Sequence, residues 1–298
     1  YDLDYHFVTH NVSPDDAHLG NVGKVWTWWR SQPASEGELA ALDDLLHARR
    51  RPGANLWVTD GVNQNPEELG RRLSLTDRRP IAVAFPSVSW DLMNVGKDIA
   101  FMSQLDWIRC CVEYFAKHPD WQLIIRSHPG EVRIPGMESR KKVAEVVGSL
   151  YPVLPHNIRV IPPEDPASSY VLIELSTLVL VYTSTLGMEA VAVGRPTVLC
   201  GNPQYRGRGF TYDVSSPDEF CAVVGRLMRE PVALNEEMRL LAKKSLYLWR
   251  NLAVPFGWTD KTGKEFRVTS VDQLKPGANE ILDEVCRAML AHEDVPLL

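Results

Sequence analysis

No apolar run in this 298-residue sequence approaches the ~20 residues that a membrane-spanning helix needs, so a spanning segment is not expected. The charged, apolar and small-residue order of a secretory signal is missing too. Cysteine is sparse. The five residues, two of them adjacent at Cys110-Cys111, have no paired spacing for a zinc site or a disulfide framework. For Cys110 and Cys111, in a helical stretch, and Cys200, at a strand end, buried structural thiols are the expectation, and a reducing cytoplasm fits. Excess positive charge is also lacking: the net charge of -6 argues against a general nucleic-acid binder, because neutralising phosphates needs a basic surface. There is no low-complexity tract and no internal repeat. The Asp-x-Asp spelling Asp2-Leu3-Asp4 has no strand before it. The arrangement that holds a cation against a diphosphate is therefore not expected, and neither is a catalytic metal.

What the sequence does contain is concentrated between Val179 and Asp213. Val179, Leu180 and Val181 form a short apolar strand that runs into Tyr182-Thr183-Ser184-Thr185 and then a helix beginning near Leu186. Side-chain hydroxyls at Thr183, Ser184 and Thr185, backed by free N–H groups at a helix start, suit a phosphate. An ordinary capped helix is the alternative. Glu189 lies four residues after Thr185 and shares its helix face, so a carboxylate leans back toward the turn, where it can accept hydrogen bonds from a ribose. Gly194 ends the helix, and Arg195 to Cys200 reads as the next buried strand, which completes a βαβ unit.

A second cluster follows the strand Gln122 to Arg126. That strand opens into Ser127-His128-Pro129-Gly130-Glu131, which puts His128 at a carboxyl end, where ligands of open α/β sheets collect. A lone loop histidine is more often a surface residue, but Pro129 and Gly130 fix the turn that aims it. His118-Pro119 reads as a helix stop. The loop Gly201 to Asp213 offers Arg206 and Arg208, whose guanidinium groups can clamp an anion, with Gly207 and Gly209 allowing a mobile backbone; a solvated basic turn is the alternative.

Ile124-Ile125-Arg126-Ser127-His128-Pro129, Glu164-Asp165-Pro166 with Ser168-Ser169-Tyr170, Val181 to Glu189, and Gly201 to Asp213 occur in an order that resembles bacterial capsule polysaccharide biosynthesis proteins. The similarity runs from about Arg79 to Trp258. Those proteins are similar to GT-B glycosyltransferases, including Kdo transferases and, more distantly, CMP-sialic acid transferases. The resemblance implies that His128, Ser184 and Thr185 hold the donor phosphate and Glu189 the ribose, with His128 catalytic; Ser127, Thr183, Arg206 and Arg208 join them as donor-binding candidates from their places beside these residues. It implies a nucleotide-sugar co-substrate, with CMP-Kdo one candidate, and no other cofactor. The implied acceptor is a polysaccharide or a lipid-linked glycan. Peripheral association with capsule assembly machinery at the inner membrane follows from the same resemblance. At Phe85-Pro86-Ser87 the family pattern has an Asn more often than Ser87, and little weight falls on that loop's polar contact.

The fold class expected is α/β, GT-B-like, with a doubly wound, mainly parallel Rossmann-like sheet over residues 79–298. Residues 1–78 are expected to be the tail of an acceptor domain and a linker, since the chain starts at Tyr1 and they are too few for a full first domain. On this view the general base for the acceptor lies outside the chain. Glu36 to Arg51 reads as an amphipathic helix with Leu39, Leu42, Leu45 and Leu46 on one face, stopped by Arg51-Pro52-Gly53. Asn63 to Pro66 and Thr76 to Pro80 read as turn-rich linkers. Trp26, Trp28 and Trp29 suit a core or a sugar platform. Helices are expected at Met102 to Lys117, Arg140 to Val147, Ser168 to Leu175 and Leu234 to Leu252. The last is the candidate for a helix that crosses back toward a first domain. Two other functions stay open: a nucleotide-sugar epimerase or polyol-phosphate transferase, and a nucleotide-binding module without turnover.

Overall fold

The computed structural model describes residues 5–7, 23–49, 65–75, 79–88, 95–133, 136, 138–251, 253–255 and 268–291. Asp2-Leu3-Asp4, Arg51-Pro52-Gly53 and Thr76 to Arg78 lie outside the described residues. In chain order the elements are β1 (Tyr5–Phe7), α1 (Gly23–Ser31), α2 (Glu36–Arg49), α3 (Pro66–Arg72), β2 (Ile81–Phe85), α4 (Gln104–Ala116) and β3 (Gln122–Arg126). Then come α5 (Gly130–Arg133), α6 (Val143–Leu150), β4 (Ile158–Ile161), α7 (Ser169–Leu175), β5 (Leu178–Val181), α8 (Leu186–Ala192) and β6 (Thr197–Leu199). The last are β7 (Tyr212–Asp213), α9 (Pro217–Arg229), α10 (Glu236–Asn251), β8 (Ala253–Pro255) and α11 (Glu280–Ala291).

The chain forms two compact units, residues 34–243 and residues 1–33 with 244–298. This division falls at other positions than the expected boundary after residue 78. The larger unit holds a six-stranded sheet in the order β4-β3-β2-β5-β6-β7, parallel at every pairing. The strands β2, β3, β5 and β6 are buried at every position, as strands covered on both faces must be. Ala82, Ala84, Leu123, Ile125, Leu178, Leu180 and Val198 share one core with Trp107, Cys111, Phe115, Phe220 and Val224 of α4 and α9. On the other side α7 packs on β2, and α8 on β5 and β6. The doubly wound parallel α/β class read from the sequence is what forms.

Local chemistry explains the boundaries. Ser103, Ser168 and Ser216 each accept a backbone N–H from the first turn of α4, α7 and α9. Gly194 takes φ +88°, and the N–H groups of Gly194 and Arg195 donate to Val191 and Ala190 at 2.8 Å each, the paired bonds that close a helix on a left-handed glycine. Asn65-Pro66, expected to belong to a linker, starts α3 instead: the Asn65 side chain accepts from the Glu67 N–H at 2.8 Å and Pro66 needs no donor there.

The smaller unit contains the antiparallel pair β1–β8, with His6 opposite Val254. Trp26 and Trp29 of α1 are buried, and Trp28 is 57% exposed. Trp29 stacks on Tyr247 at 5.8 Å, and the buried Lys244 ammonium donates to the Trp29 carbonyl at 3.1 Å. Two of the three tryptophans are thus core residues. All five cysteines are free thiols, and burial raises the pKa of Cys111 and Cys200 well above the ordinary range. Among the described residues no helix is long and apolar enough to cross a membrane.

Candidate functional site

The strand order reverses between β2 and β5, because β3 and β4 lie on one side of β2 while β5, β6 and β7 lie on the other. A crevice opens outside the carboxyl ends of the strands at such a reversal. Its two lips are Ser87 after β2 and Thr183 after β5. Their hydroxyls meet at 2.8 Å, and both residues are buried. Gln104 holds Ser87 from the side: its Oε1 accepts from the Ser87 N–H at 2.8 Å and its Nε2 donates to the Ser87 carbonyl at 2.9 Å. Ser87 carried little weight in the sequence. Its place at a strand end beside the reversal was the available signal.

The turn after β5 is built differently from expectation. The N–H groups thought free for a phosphate are engaged within the turn: Leu186 donates to Ser184 Oγ at 3.3 Å, Gly187 to the Ser184 carbonyl at 3.1 Å and Met188 to the Thr185 carbonyl at 3.0 Å. A short first turn folds those donors back on itself. Helix α8 is also only 7 residues long, so little of an anion's attraction here comes from its dipole. The hydroxyls of Thr183, Ser184 and Thr185 remain the chemistry of the turn, and Thr185 makes no side-chain cap bond. Glu189 is buried, and its Oε2 accepts from the Tyr170 hydroxyl of α7 at 2.9 Å. Tyr170 was quoted in the sequence motif without a role. Gly187 leaves room for Tyr205: a Cβ there would stand 2.5 Å from the Tyr205 hydroxyl, which donates to the Ser184 carbonyl at 2.6 Å.

Two strands away, the carboxyl end of β3 carries Ser127 and His128. Neighbouring strands lie about 4.8 Å apart, so the β3 and β5 ends stand roughly 10 Å apart along one edge. His128 Nδ1 accepts from the Gly130 N–H at 2.9 Å. That bond assigns the proton of the neutral ring to Nε2. Burial, with the Arg126 guanidinium adding to it, pushes the His128 pKa down to about 4. The imidazole is therefore a neutral N–H donor at pH 7. The Ser127 side chain is buried, and its Oγ has no hydrogen-bond partner among the described residues.

Beneath this turn, Arg126 donates to the Pro162 carbonyl at 2.5 Å and to the Asp165 carbonyl at 2.9 Å. The Asp165 carboxylate in turn takes both Nη atoms of Arg72 at 3.0 and 2.9 Å and the Ala167 N–H at 2.7 Å. Arg126 and Asp165 thus tie the β3 and β4 loops together. Glu131 is buried and its pKa is raised to about 7 by burial, against the stabilising Val143 N–H at 3.1 Å.

The loop Gly201 to Asp213 does lie beside the β5 turn. The Gly201 N–H donates to the Tyr182 carbonyl at 2.9 Å, and a Cβ on Gly201 would stand 2.9 Å from the Thr183 methyl. Arg206 is engaged within its own loop. Its guanidinium donates to the carbonyls of Gly201 and Val214 at 3.0 and 2.9 Å and to Ser215 Oγ at 3.1 Å, since buried loop carbonyls need donors. Arg208 is 6% exposed, and burial lowers its pKa to about 10. Gly207 and Gly209 take φ of +76° and +85°, the left-handed conformation that glycine adopts without strain. Among the described residues no group of three or more His, Cys, Asp and Glu side chains can hold a metal ion.

A family model described as "Capsule polysaccharide biosynthesis protein" matches residues 64–242, more than half of the chain. No curated protein sequence matches. Among solved structures, the KpsC β-Kdo 2,4 transferase of Thermosulfurimonas dismutans is similar at 15% identity and a TM-score of 0.41, over 71% of this chain and 56% of its own. The KpsC β-Kdo 2,7 transferase of the same organism is similar at 19% identity and 0.35, over 73% of this chain and 59% of its own. A UDP-GlcNAc 2-epimerase from Neisseria meningitidis, bound to UDP-GlcNAc, is similar at 16% identity and 0.37, over 59% of this chain and 42% of its own. The chain therefore spans under two thirds of the length of each.

Proposed function

The chain belongs to the capsule polysaccharide biosynthesis protein family, and from that membership we propose that it is a glycosyltransferase using a nucleotide-sugar donor to build a capsular or surface polysaccharide. CMP-Kdo is the donor we put first. The observation that carries the reading is the pairing of Ser127, a buried hydroxyl without a partner among the described residues, with the neutral His128 donor at the carboxyl end of β3. Buried polar atoms are rarely left unsatisfied, and the end of β5, two strands away, adds the Thr183, Ser184 and Thr185 hydroxyls.

On this reading the nucleotide lies along the strand ends, with its phosphate between the His128 turn and the Thr183 to Thr185 turn and its ribose against Glu189. As the glycosidic bond breaks, negative charge grows on the leaving phosphate oxygens. Donors already aimed at them, including His128 Nε2–H, favour that state over the bound donor. Because the imidazole is neutral, it donates without first taking a proton from solvent. Arg208 remains an anion contact in this proposal, while Arg206 shapes its loop. The reaction runs without a metal, and the acceptor is a polysaccharide or lipid-linked glycan presented at the inner membrane.

Product analysis with CMP-, UDP- and CDP-linked sugars and a capsular oligosaccharide acceptor tests this. Transfer of the sugar supports the proposal. An epimerised sugar without transfer would make the protein an epimerase. Nucleotide binding without turnover would make it a binding module, and no binding at all would overturn the site.

A further inference from the structure

The clamp that Gln104 places on Ser87 has a form that helix starts do not require. Ser103 already caps α4, its hydroxyl accepting from the Asp106 N–H at 3.2 Å, so Gln104 is left with a side chain facing sideways from the first helical position. Its amide meets both backbone groups of a single residue, accepting from the Ser87 N–H and donating to the Ser87 carbonyl, as a neighbouring strand would. Strand β2 has ended two residues earlier, and the amide continues its hydrogen bonding where the ladder stops. What this fixes is the Ser87 hydroxyl, 2.8 Å from Thr183 across the reversal in strand order. Gly201 leaves room for Thr183, since a Cβ there would stand 2.9 Å from the Thr183 methyl.

We propose that Gln104 is a positioning residue of the donor site: by clamping the Ser87 backbone, it holds the Ser87 hydroxyl on Thr183 and so sets where the Thr183 to Thr185 turn presents its hydroxyls to phosphate. The proposal rests on the donor-site reading above. Only an amide fits the clamp. A carboxylate lacks the donor for the Ser87 carbonyl, and a thioether has no donor and only a weak acceptor.

The experiment is titration of CMP and of UDP into the 298-residue chain and into Gln104→Met, Ser87→Ala, Ser87→Thr and the Gln104→Met/Ser87→Ala double variant, with thermal melting of each. Each of Gln104→Met and Ser87→Ala is expected to raise Kd by about 3- to 10-fold, the usual worth of one hydrogen bond. The double variant is expected to be no weaker than the worse single one, because Gln104 acts through Ser87. Ser87→Thr, which keeps the hydroxyl, is expected to restore Kd. A Gln104→Met protein with a lowered Tm and unchanged Kd would overturn the clamp, as would penalties that add in full. If the parent chain binds nucleotide and every variant binds equally well, the clamp alone fails. If the parent chain binds neither nucleotide, the donor-site reading fails and the clamp with it.

Discussion

The Tyr170 hydroxyl donates to Glu189 Oε2 at 2.9 Å, which joins the crossover helix α7 to the helix that follows the hydroxyl turn. A buried carboxylate held in this way has a fixed direction. Glu189→Gln keeps an oxygen for Tyr170 and the side-chain volume while removing the charge. Ribonucleotide affinity is expected to fall by about 1.5 to 3 kcal/mol, the range for a hydrogen bond to a charged group, with a smaller loss for the deoxyribonucleotide. Calorimetry of both nucleotides with both proteins measures this. Equal losses for the two sugars would remove Glu189 from the ribose.

His128 and Glu131 have opposed effects on stability. The folded pKa of His128 is lowered from 6.5 to about 4, so its contribution is present above pH 6.5 and is lost as pH falls toward 4. The folded pKa of Glu131 is raised from 4.5 to about 7, so its contribution is present below pH 4.5 and is lost as pH rises through 7. Between about pH 4.5 and 6.5 the two slopes nearly cancel. Glu131→Gln is expected to leave stability rising with pH across that window, and His128→Gln to leave it falling. Urea unfolding at several pH values reads both slopes, and parallel curves for the two variants would refute the assignment.

Ser184 and Thr185 separate capping from binding. Ser184→Ala removes the acceptor for the Leu186 N–H, so it is expected to cost about 0.5 to 2 kcal/mol of stability as well as nucleotide affinity. Thr185→Ala, with no cap bond to lose, is expected to lower affinity with little change in Tm. The double variant should weaken nucleotide binding by about 1 to 3 kcal/mol. Melting curves paired with CMP titration distinguish the two effects; a Thr185→Ala protein that binds normally would leave its hydroxyl without a role.

Arg206→Ala is expected to destabilise the fold by about 1 to 3 kcal/mol through the carbonyls it leaves unpaired. Arg208→Ala is expected to weaken nucleotide binding more than Arg206→Ala does at matched folded fraction. The reverse order in titrations on the folded proteins would return the anion contact to Arg206.

Activity in the presence of EDTA is expected to be retained, as no strand-borne Asp-x-Asp is visible in the sequence. Loss that magnesium or manganese restores would establish a metal step.

The sheet was legible because burial on both faces leaves short Val, Ile and Leu runs between turn residues; β3 matches its expected limits at both ends. Gly194 was legible because a left-handed helix end tolerates few other residues. The loop contacts of Arg206 were not legible for a physical reason: an arginine in a glycine-rich loop has the same spelling whether it faces an anion or the loop's own carbonyls. Asn65-Pro66 was read as a linker because Asn and Pro serve turns and helix starts equally well. The Ser87–Thr183 and Tyr170–Glu189 contacts depend on which strands and helices become neighbours. Local periodicity carries no information about that.

The reversal in strand order also governs when the fold can form. Ser87 and Thr183 are 96 residues apart in the chain, and β2 stands in the middle of the sheet with β5 as one of its two neighbours. As the chain leaves the ribosome, β2 can pair with β3 early. Its other edge stays uncovered until β5 has emerged. Parallel pairings this distant in sequence are slow to close, and an apolar edge left open meanwhile invites association with other chains. The order of synthesis thus leaves one edge of β2 in need of protection until β5 is made, and the hydroxyl pair that closes the crevice cannot form before then.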